Sequence, residues 1–214
     1  MKHILCYGDS NTWGYIPGTK ERYPDHVRWT GVVQQKLGSG YRIFEDGLNG
    51  RTTVFDDPYS PCRNGQKSLD YSLLENAPLD LVVLSLGSND LKFTDASGSK
   101  RGAERLINQI LSADAHLQPG ASIFPNGVKI LLVSPIRVHA DIKTFNPESS
   151  LADAAVPSES FAKYFSALAD QYGNVSFLDA AQYAEPSAVD GIHMSEQSHH
   201  SLGCAIAQAI QEIL

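Results

Sequence analysis

The sequence predicts a single α/β domain spanning 1–214, with a parallel sheet covered by helices on both faces. Three observations carry that prediction. Strand-like and helix-like stretches alternate about five times along the chain. Two of the strand-like stretches, 4–7 (ILCY) and 79–86 (LDLVVLSL), are nearly continuous apolar runs, as strands buried on both faces are. The length of 214 residues, 42% hydrophobic and 19% charged, suits one large domain and is short for two.

The elements follow in order. The run 4–7 stops at Gly8, and Gly8-Asp9-Ser10-Asn11 supplies turn chemistry before a helix opens at Thr12. A polar loop, 16–26, leads to a helix over Trp29–Leu37, ended by Gly38 to Gly40. A second strand, 41–45, runs into the glycine-bearing loop 46–53. The stretch 56–66 is long, polar and turn-rich, and 68–76 suits a helix. The third strand, 79–86, ends in the turn Gly87-Ser88-Asn89-Asp90. Residues 97–100 read as loop, 103–115 as an amphipathic helix, 119–127 as loop and 128–133 as a fourth strand. The stretch 135–157 is the longest irregular one and is expected to form a rim or lid over a site. A helix over 158–172, a short strand over 175–178 and a connector over 180–189 precede Asp190-Gly191-Ile192-His193. The last helix runs from Ser195, its N-cap, to Ile213, with Leu202, Ile206, Ala209, Ile210 and Ile213 facing inward.

The bulk numbers exclude some classes. A net charge of -7, with no cluster of Lys and Arg, disfavours a nucleic acid or an anionic membrane surface as partner. No segment has the apolar length of a membrane span, and the N-terminal run is too short for a signal peptide. Cys6, Cys62 and Cys204 have no metal spacing and read as free thiols that pack rather than react, which fits a cytoplasmic protein. His3, His26, His116, His139, His199 and His200 read as surface or capping residues. The His199-His200 pair lacks nearby carboxylate or cysteine ligands, so neither a metal nor another cofactor is expected.

Ligands of open α/β sheets gather at the carboxyl ends of the strands. Four turns carry reactive or donor groups: Ser10, the loop around Gly50 and Asn89, which follow strands directly, and the pair Asp190 and His193, which precedes the last helix and is expected to return to the same edge. Taken singly each has a plain structural role: helix cap, loop glycine, turn residue, chance spacing. Together they are what acyl transfer needs. Serine is a weak nucleophile at neutral pH and needs a base to take its proton. Histidine suits that task, and a carboxylate on its far nitrogen fixes the tautomer. Gly191 lets the chain turn between Asp190 and His193, so Nε2 is expected to face Ser10. The amides of Ser10 and Gly50 and the side chain of Asn89 are candidate donors to an oxyanion. Asp9, beside Ser10, reads as a turn-stabilising carboxylate.

These blocks, in this order and spacing, resemble the SGNH (GDSL-type) hydrolase family over nearly the whole chain. RWTGVV (28–33), GLNGRTT (47–53), DDP (56–58) and DGIHMSE (190–196) resemble its arylesterase and acyltransferase branch in particular. The resemblance implies a flavodoxin-like three-layer α/β/α fold with a central five-stranded parallel sheet. It implies a serine esterase with Ser10 as nucleophile, His193 as base and Asp190 as orienter. Its oxyanion hole would be formed by the Ser10 and Gly50 amides and Asn89. Substrates would be small acyl or aryl esters, with water or an alcohol as acceptor. Asn11 stands where leucine is usual and is expected to bond the turn backbone or Asp9. Trp13, Tyr15, Phe93, Ile136 and Phe145 are expected to line an apolar pocket or to pack in the core or an interface. Some members of the branch form oligomers, so 56–66 and 135–157 are candidate contacts of a homo-oligomer. Two other readings stand beside this one. A carbohydrate acetylesterase would use the same chemistry. A flavodoxin-like binder of a phosphate or flavin would want a glycine cradle such as G-x-x-x-x-G-K-[ST], and none follows a strand here.

Overall fold

The computed structural model describes residues 1–214. Five strands form one parallel sheet: β1 (Lys2–Gly8), β2 (Tyr41–Gly47), β3 (Leu81–Ser85), β4 (Ile130–Ser134) and β5 (Val175–Asp179). Their spatial order is β2-β1-β3-β4-β5. β1 is central, with Ile4 opposite both Ile43 of β2 and Leu81 of β3. The chain steps from β1 to β2 on one side and then crosses back over β1 to β3 on the other, so a crevice opens at the carboxyl end of β1.

Alternate residues of each strand feed opposite layers. Leu5 and Tyr7 of β1, Val82 and Leu84 of β3, and Ile130 and Leu132 of β4 point to one side. There they meet Leu69 and Leu73 of α3 (Gly65–Asn76), Leu106, Ile107 and Ile110 of α4 (Ala96–Leu111), and Phe161 and Phe165 of α8 (Phe161–Ala169). Ile4, Cys6, Leu81, Val83, Leu131 and Val133 point the other way, against Trp29 and Val33 of α2 (Trp29–Leu37) and Leu202, Ile206 and Ile210 of α9 (Glu196–Ile213). The result is the three-layer α/β/α arrangement with the strand order of flavodoxin-like folds. Of the inward face expected for α9, Leu202, Ile206 and Ile210 are buried, while Ala209 and Ile213 are only partly so. Ser195 caps that helix, its Oγ accepting from the Ser198 N–H. Helices α2 and α9 approach closely at Gly203, where a Cβ would meet the Val32 side chain at 2.7 Å and the Trp29 carbonyl at 2.9 Å.

Several boundaries differ from expectation, each for a packing reason. The 97–100 stretch is helix: α4 starts at Ala96, capped by Asp95, whose side chain accepts from the Gly98 N–H. Its small residues Gly98, Ser99 and Gly102 are buried, and a Cβ on Gly102 would lie 1.8 Å from Thr53 Oγ1. Close approach to that loop outweighs their low helix propensity. After Leu111 the chain turns and makes one more short helix, α5 (Ala113–Leu117). The 158–172 helix is split into α7 (Ala155–Ser158) and α8, because Ser158 is buried and its Oγ accepts from Val138 N–H while donating to the Ala155 carbonyl. The 135–157 stretch is not wholly irregular, since it also contains α6 (Ile142–Phe145).

His199 is a correction. It is fully buried rather than at the surface, with its ring edge-on to Tyr23 at 5.3 Å. Its Nδ1 accepts from the N–H of Trp29 at 3.3 Å, at the start of α2, where Arg28 supplies no side-chain cap. Burial, with Arg28 and His193 nearby, pushes its pKa down to about 3, so the ring is neutral at physiological pH. Cys6 is buried, Cys204 is half-buried and Cys62 is exposed. No helix is long and apolar enough to cross a membrane.

Candidate active site

The strand ends build the site. β1 stops at Gly8, and Asp9 caps the short helix α1 (Ser10–Trp13), its Oδ1 accepting from the Asn11 N–H at 2.9 Å. Ser10 therefore sits at the first turn of a helix, where N–H groups lack intrahelical partners. β2 ends at Gly47, where a Cβ would fall 2.1 Å from the Trp13 nitrogen. Only glycine lets β2 and α1 come this close. Gly50 follows at φ +78°. Asn89 lies in the short 3₁₀ turn Ser88–Lys92 after β3.

The last part comes from the turn before α9. Asp190 Oδ1 accepts from the N–H groups of Ile192 and His193, each at 3.0 Å. Gly191, at φ +76°, makes the reversal. The chain thereby returns the imidazole to its own carboxylate: His193 Nδ1 lies 2.7 Å from Asp190 Oδ2. Its Nε2 lies 2.9 Å from Ser10 Oγ, across 183 residues of sequence. Burial pushes the Asp190 carboxyl up, but hydrogen bonds from the His193 side chain and from the backbone outweigh it and hold the pKa below its ordinary value. Asp190 is thus ionised at neutral pH.

A cleft of about 240 Å³ lies over these groups, lined by Ser10, Gly50, Asn89 and His193 together with Asn49, Lys92, Ser150 and others. A larger groove of about 620 Å³, bounded by Arg137 to Ala140 and Glu185 to Ala188, touches none of them. Of the residues expected in an apolar pocket, Tyr15 lines the cleft and stacks on the His193 ring at 4.3 Å. The other four lie outside its lining. Trp13 packs beside Tyr15 under the Arg22 guanidinium, and Ile136 is buried in the core. Phe93 stacks on Phe55, and Phe145 stands edge-on to His139. The apolar residues that do line the cleft, besides Tyr15, are Leu151 and Ile192. The 135–157 stretch reaches the rim through Ser150 and Leu151, and braces the Asp190 turn. His139 N–H donates to the Gly191 carbonyl and Asn146 Nδ2 to that of Asp190.

Three buried residues that sequence reasoning missed or misjudged hold the parts in register. Arg51 donates to the Gly8 and Asp46 carbonyls, at 3.0 and 2.6 Å, and pairs with the Asp46 carboxylate at 2.8 Å. Its own carbonyl accepts from Asn89 Nδ2 at 3.2 Å, which leaves the other proton of that amide free to point elsewhere. The Asn11 N–H bonds Asp9 as expected, but its side chain crosses to the histidine turn. Its Oδ1 accepts from the Met194 N–H at 3.0 Å, and its Nδ2 donates to the Ile192 carbonyl at 3.4 Å. Asp90 accepts from the Thr53 N–H at 2.8 Å and Oγ1–H at 2.5 Å, fixing the end of the Gly50 loop. Their sequence signals are their places in strand-end turns and in the motif blocks Gly8–Asn11, GLNGRTT and Gly87–Asp90.

Burial pushes the Asp90 pKa up to about 7. Between its ordinary value near 3.8 and 7, the folded protein keeps a proton that the unfolded chain releases, so rising pH weakens folding across that window. An asparagine carries no charge; its Oδ1 accepts from the Thr53 N–H and its Nδ2 donates to Thr53 Oγ1, reversing that bond. Asp90→Asn is expected to flatten the fall of the thermal midpoint between about pH 4 and 8, and to melt above wild type at the alkaline end. Parallel melting curves for the two proteins would refute this.

A family model of GDSL-like lipases and acylhydrolases matches residues 6–200, and the chain belongs to that family, the SGNH hydrolases. It is a carboxylic ester hydrolase. The native aryl esterase of M. smegmatis is similar over its full length, at 34% identity and a TM-score of 0.88, with all of each chain covered. So is Est24, a carbohydrate acetylesterase from Sinorhizobium meliloti, at 33% identity and a TM-score of 0.90, again with all of each chain covered. No curated protein matches the chain. No three or more His, Cys, Asp or Glu side chains are grouped to hold a metal ion.

Proposed function

We propose that the chain, acting as one catalytic unit, is a serine esterase with Ser10 as nucleophile, His193 as general base and Asp190 as its orienting carboxylate. The hydrogen bonds from Ser10 through His193 to Asp190 carry this reading. Ser10 Oγ bonds to the ester carbonyl carbon while its proton passes to Nε2. The carbonyl oxygen takes the displaced electron pair and is received by the Ser10 and Gly50 amides and the free proton of Asn89 Nδ2. Collapse breaks the ester C–O bond, and Nε2–H gives its proton to the departing alcohol. Water then attacks the acyl group on Ser10 by the same route, releasing the acid. An alcohol in its place yields a new ester.

The small cleft favours short acyl groups, and small acyl and aryl esters are the substrates we assign. Acetylated carbohydrates are the second reading. Only three of the thirteen lining residues are hydrophobic, which suits a hydroxyl-rich alcohol. Glucose pentaacetate against phenyl acetate separates the two. Mass spectrometry of protein quenched during turnover should find the acyl group on Ser10, and an acyl group on any other residue would end the assignment. Asn89→Ala should lower kcat on p-nitrophenyl acetate by ~10²–10³, with less change in KM. A loss below about threefold would remove Asn89 from the oxyanion site.

A further inference from the structure

Lys92 shares the cleft with Ser10, Asn89 and His193. It closes the same 3₁₀ turn that carries Asn89, and its side chain is only 18% exposed. An ammonium group has three N–H donors. The nearest carboxylate oxygen, Asp57 Oδ2, lies 4.0 Å away, beyond hydrogen-bond distance. The other oxygen of Asp57 is engaged by the N–H groups of Tyr59 and Ser60. Lys92 therefore faces the cleft as a mostly buried cation whose donors the protein leaves unspent, and burial already pushes its pKa down.

Three carboxylates, Asp57, Asp9 and Asp90, lie around it, and each spends its hydrogen bonds on groups other than Lys92. Asp9 lines the cleft, and Asp90 lies behind it with both oxygens committed to Thr53. Burial pushes both carboxyls towards their neutral forms. Arg63 adds a second positive charge nearby. An acceptor brought in by substrate would satisfy what the fold does not.

We propose that Lys92 selects ester substrates that carry an anionic group, a carboxylate a few bonds from the reacting carbonyl. This rests on the Ser10 mechanism and adds a substrate class to it. The carboxylate can belong to the acyl half or to the alcohol half. Lys92 donates to it with charge assistance, and the cleft walls limit the competition from water.

Two matched pairs test it. Mono-p-nitrophenyl glutarate against p-nitrophenyl valerate places the charge on the acyl side. 4-Acetoxybenzoate against its methyl ester places it on the leaving group. Wild type is expected to favour the anionic member of one pair by about tenfold in kcat/KM. Lys92→Met should bring that ratio to about one or below, chiefly through KM, and Lys92→Arg should restore part of it. Equal or better use of the neutral member in both pairs overturns the proposal, as does a preference that survives Lys92→Met. Since the wild-type ratios need no variant, a poorly folding mutant does not shield the idea. If neutral esters turn over in a Ser10-dependent way without any anionic preference, this inference alone falls. If no ester is turned over through Ser10, the catalytic assignment falls with it.

Discussion

Ser10→Ala is expected to lower kcat for p-nitrophenyl acetate by on the order of 10⁵–10⁶, and His193→Ala by a similar factor. The double variant should be no worse than either single one. The reason is the 2.9 Å contact between Oγ and Nε2. On the proposed assignment, bond formation by one atom and proton removal by the other are a single event, so losing either loses both. What remains in each variant is binding and oxyanion stabilisation from groups not altered. Steady-state rates of the three proteins settle the matter. Multiplying losses would show that the two residues act separately, and a Ser10→Ala enzyme within about tenfold of wild type would remove the nucleophile.

Asp190→Asn is expected to cost about 10⁴ in kcat while leaving the fold intact. Asp190 Oδ1 receives two backbone N–H groups from its own turn. An asparagine keeps its oxygen there, because only an oxygen can accept them. Its NH2 is then forced to the place of Oδ2, 2.7 Å from His193 Nδ1. Nδ1 must become the acceptor, and the ring proton moves to Nε2, which can no longer take a proton from Ser10. The measurement is kcat with a thermal melt as control. A variant of unchanged stability and near-normal rate would show that the carboxylate does not set the tautomer. Asp190→Ala offers a poorer test, since it also removes the acceptor on which the turn is built.

Much of this architecture is legible in the chain because strand ends announce themselves. Apolar runs that halt at Gly8 and Gly87, and the strand 41–45 giving way to a glycine-bearing loop, mark where the sheet stops, and parallel strands put their ends on one edge. Residues attached directly to those ends, Ser10, Gly50 and Asn89, are therefore brought together by the sheet itself. The return of the histidine turn is less local. It depends on Asn11, which reaches the backbone on either side of His193, and nothing in the composition of that turn foretells such a bond. Which of the candidate aromatics line the cleft was not legible either, and of them only Tyr15 does. Aromatic character states an appetite for contact, not an address: Phe93 stacks on Phe55 and Phe145 stands edge-on to His139, while both stay exposed. Ala96–Leu111 and His199 misled because packing partners, the Thr53 loop in one case and the start of Trp29–Leu37 in the other, outweighed local preference.

The bond that joins residue 10 to residue 193 also bears on the timing of synthesis. The imidazole leaves the ribosome 183 residues after the hydroxyl. On the proposed assignment, a nascent polypeptide that has not yet reached His193 displays the hydroxyl with nothing to draw off its proton. Reactivity then waits for the histidine turn to emerge and dock, and copies still short of it leave the esters around them intact.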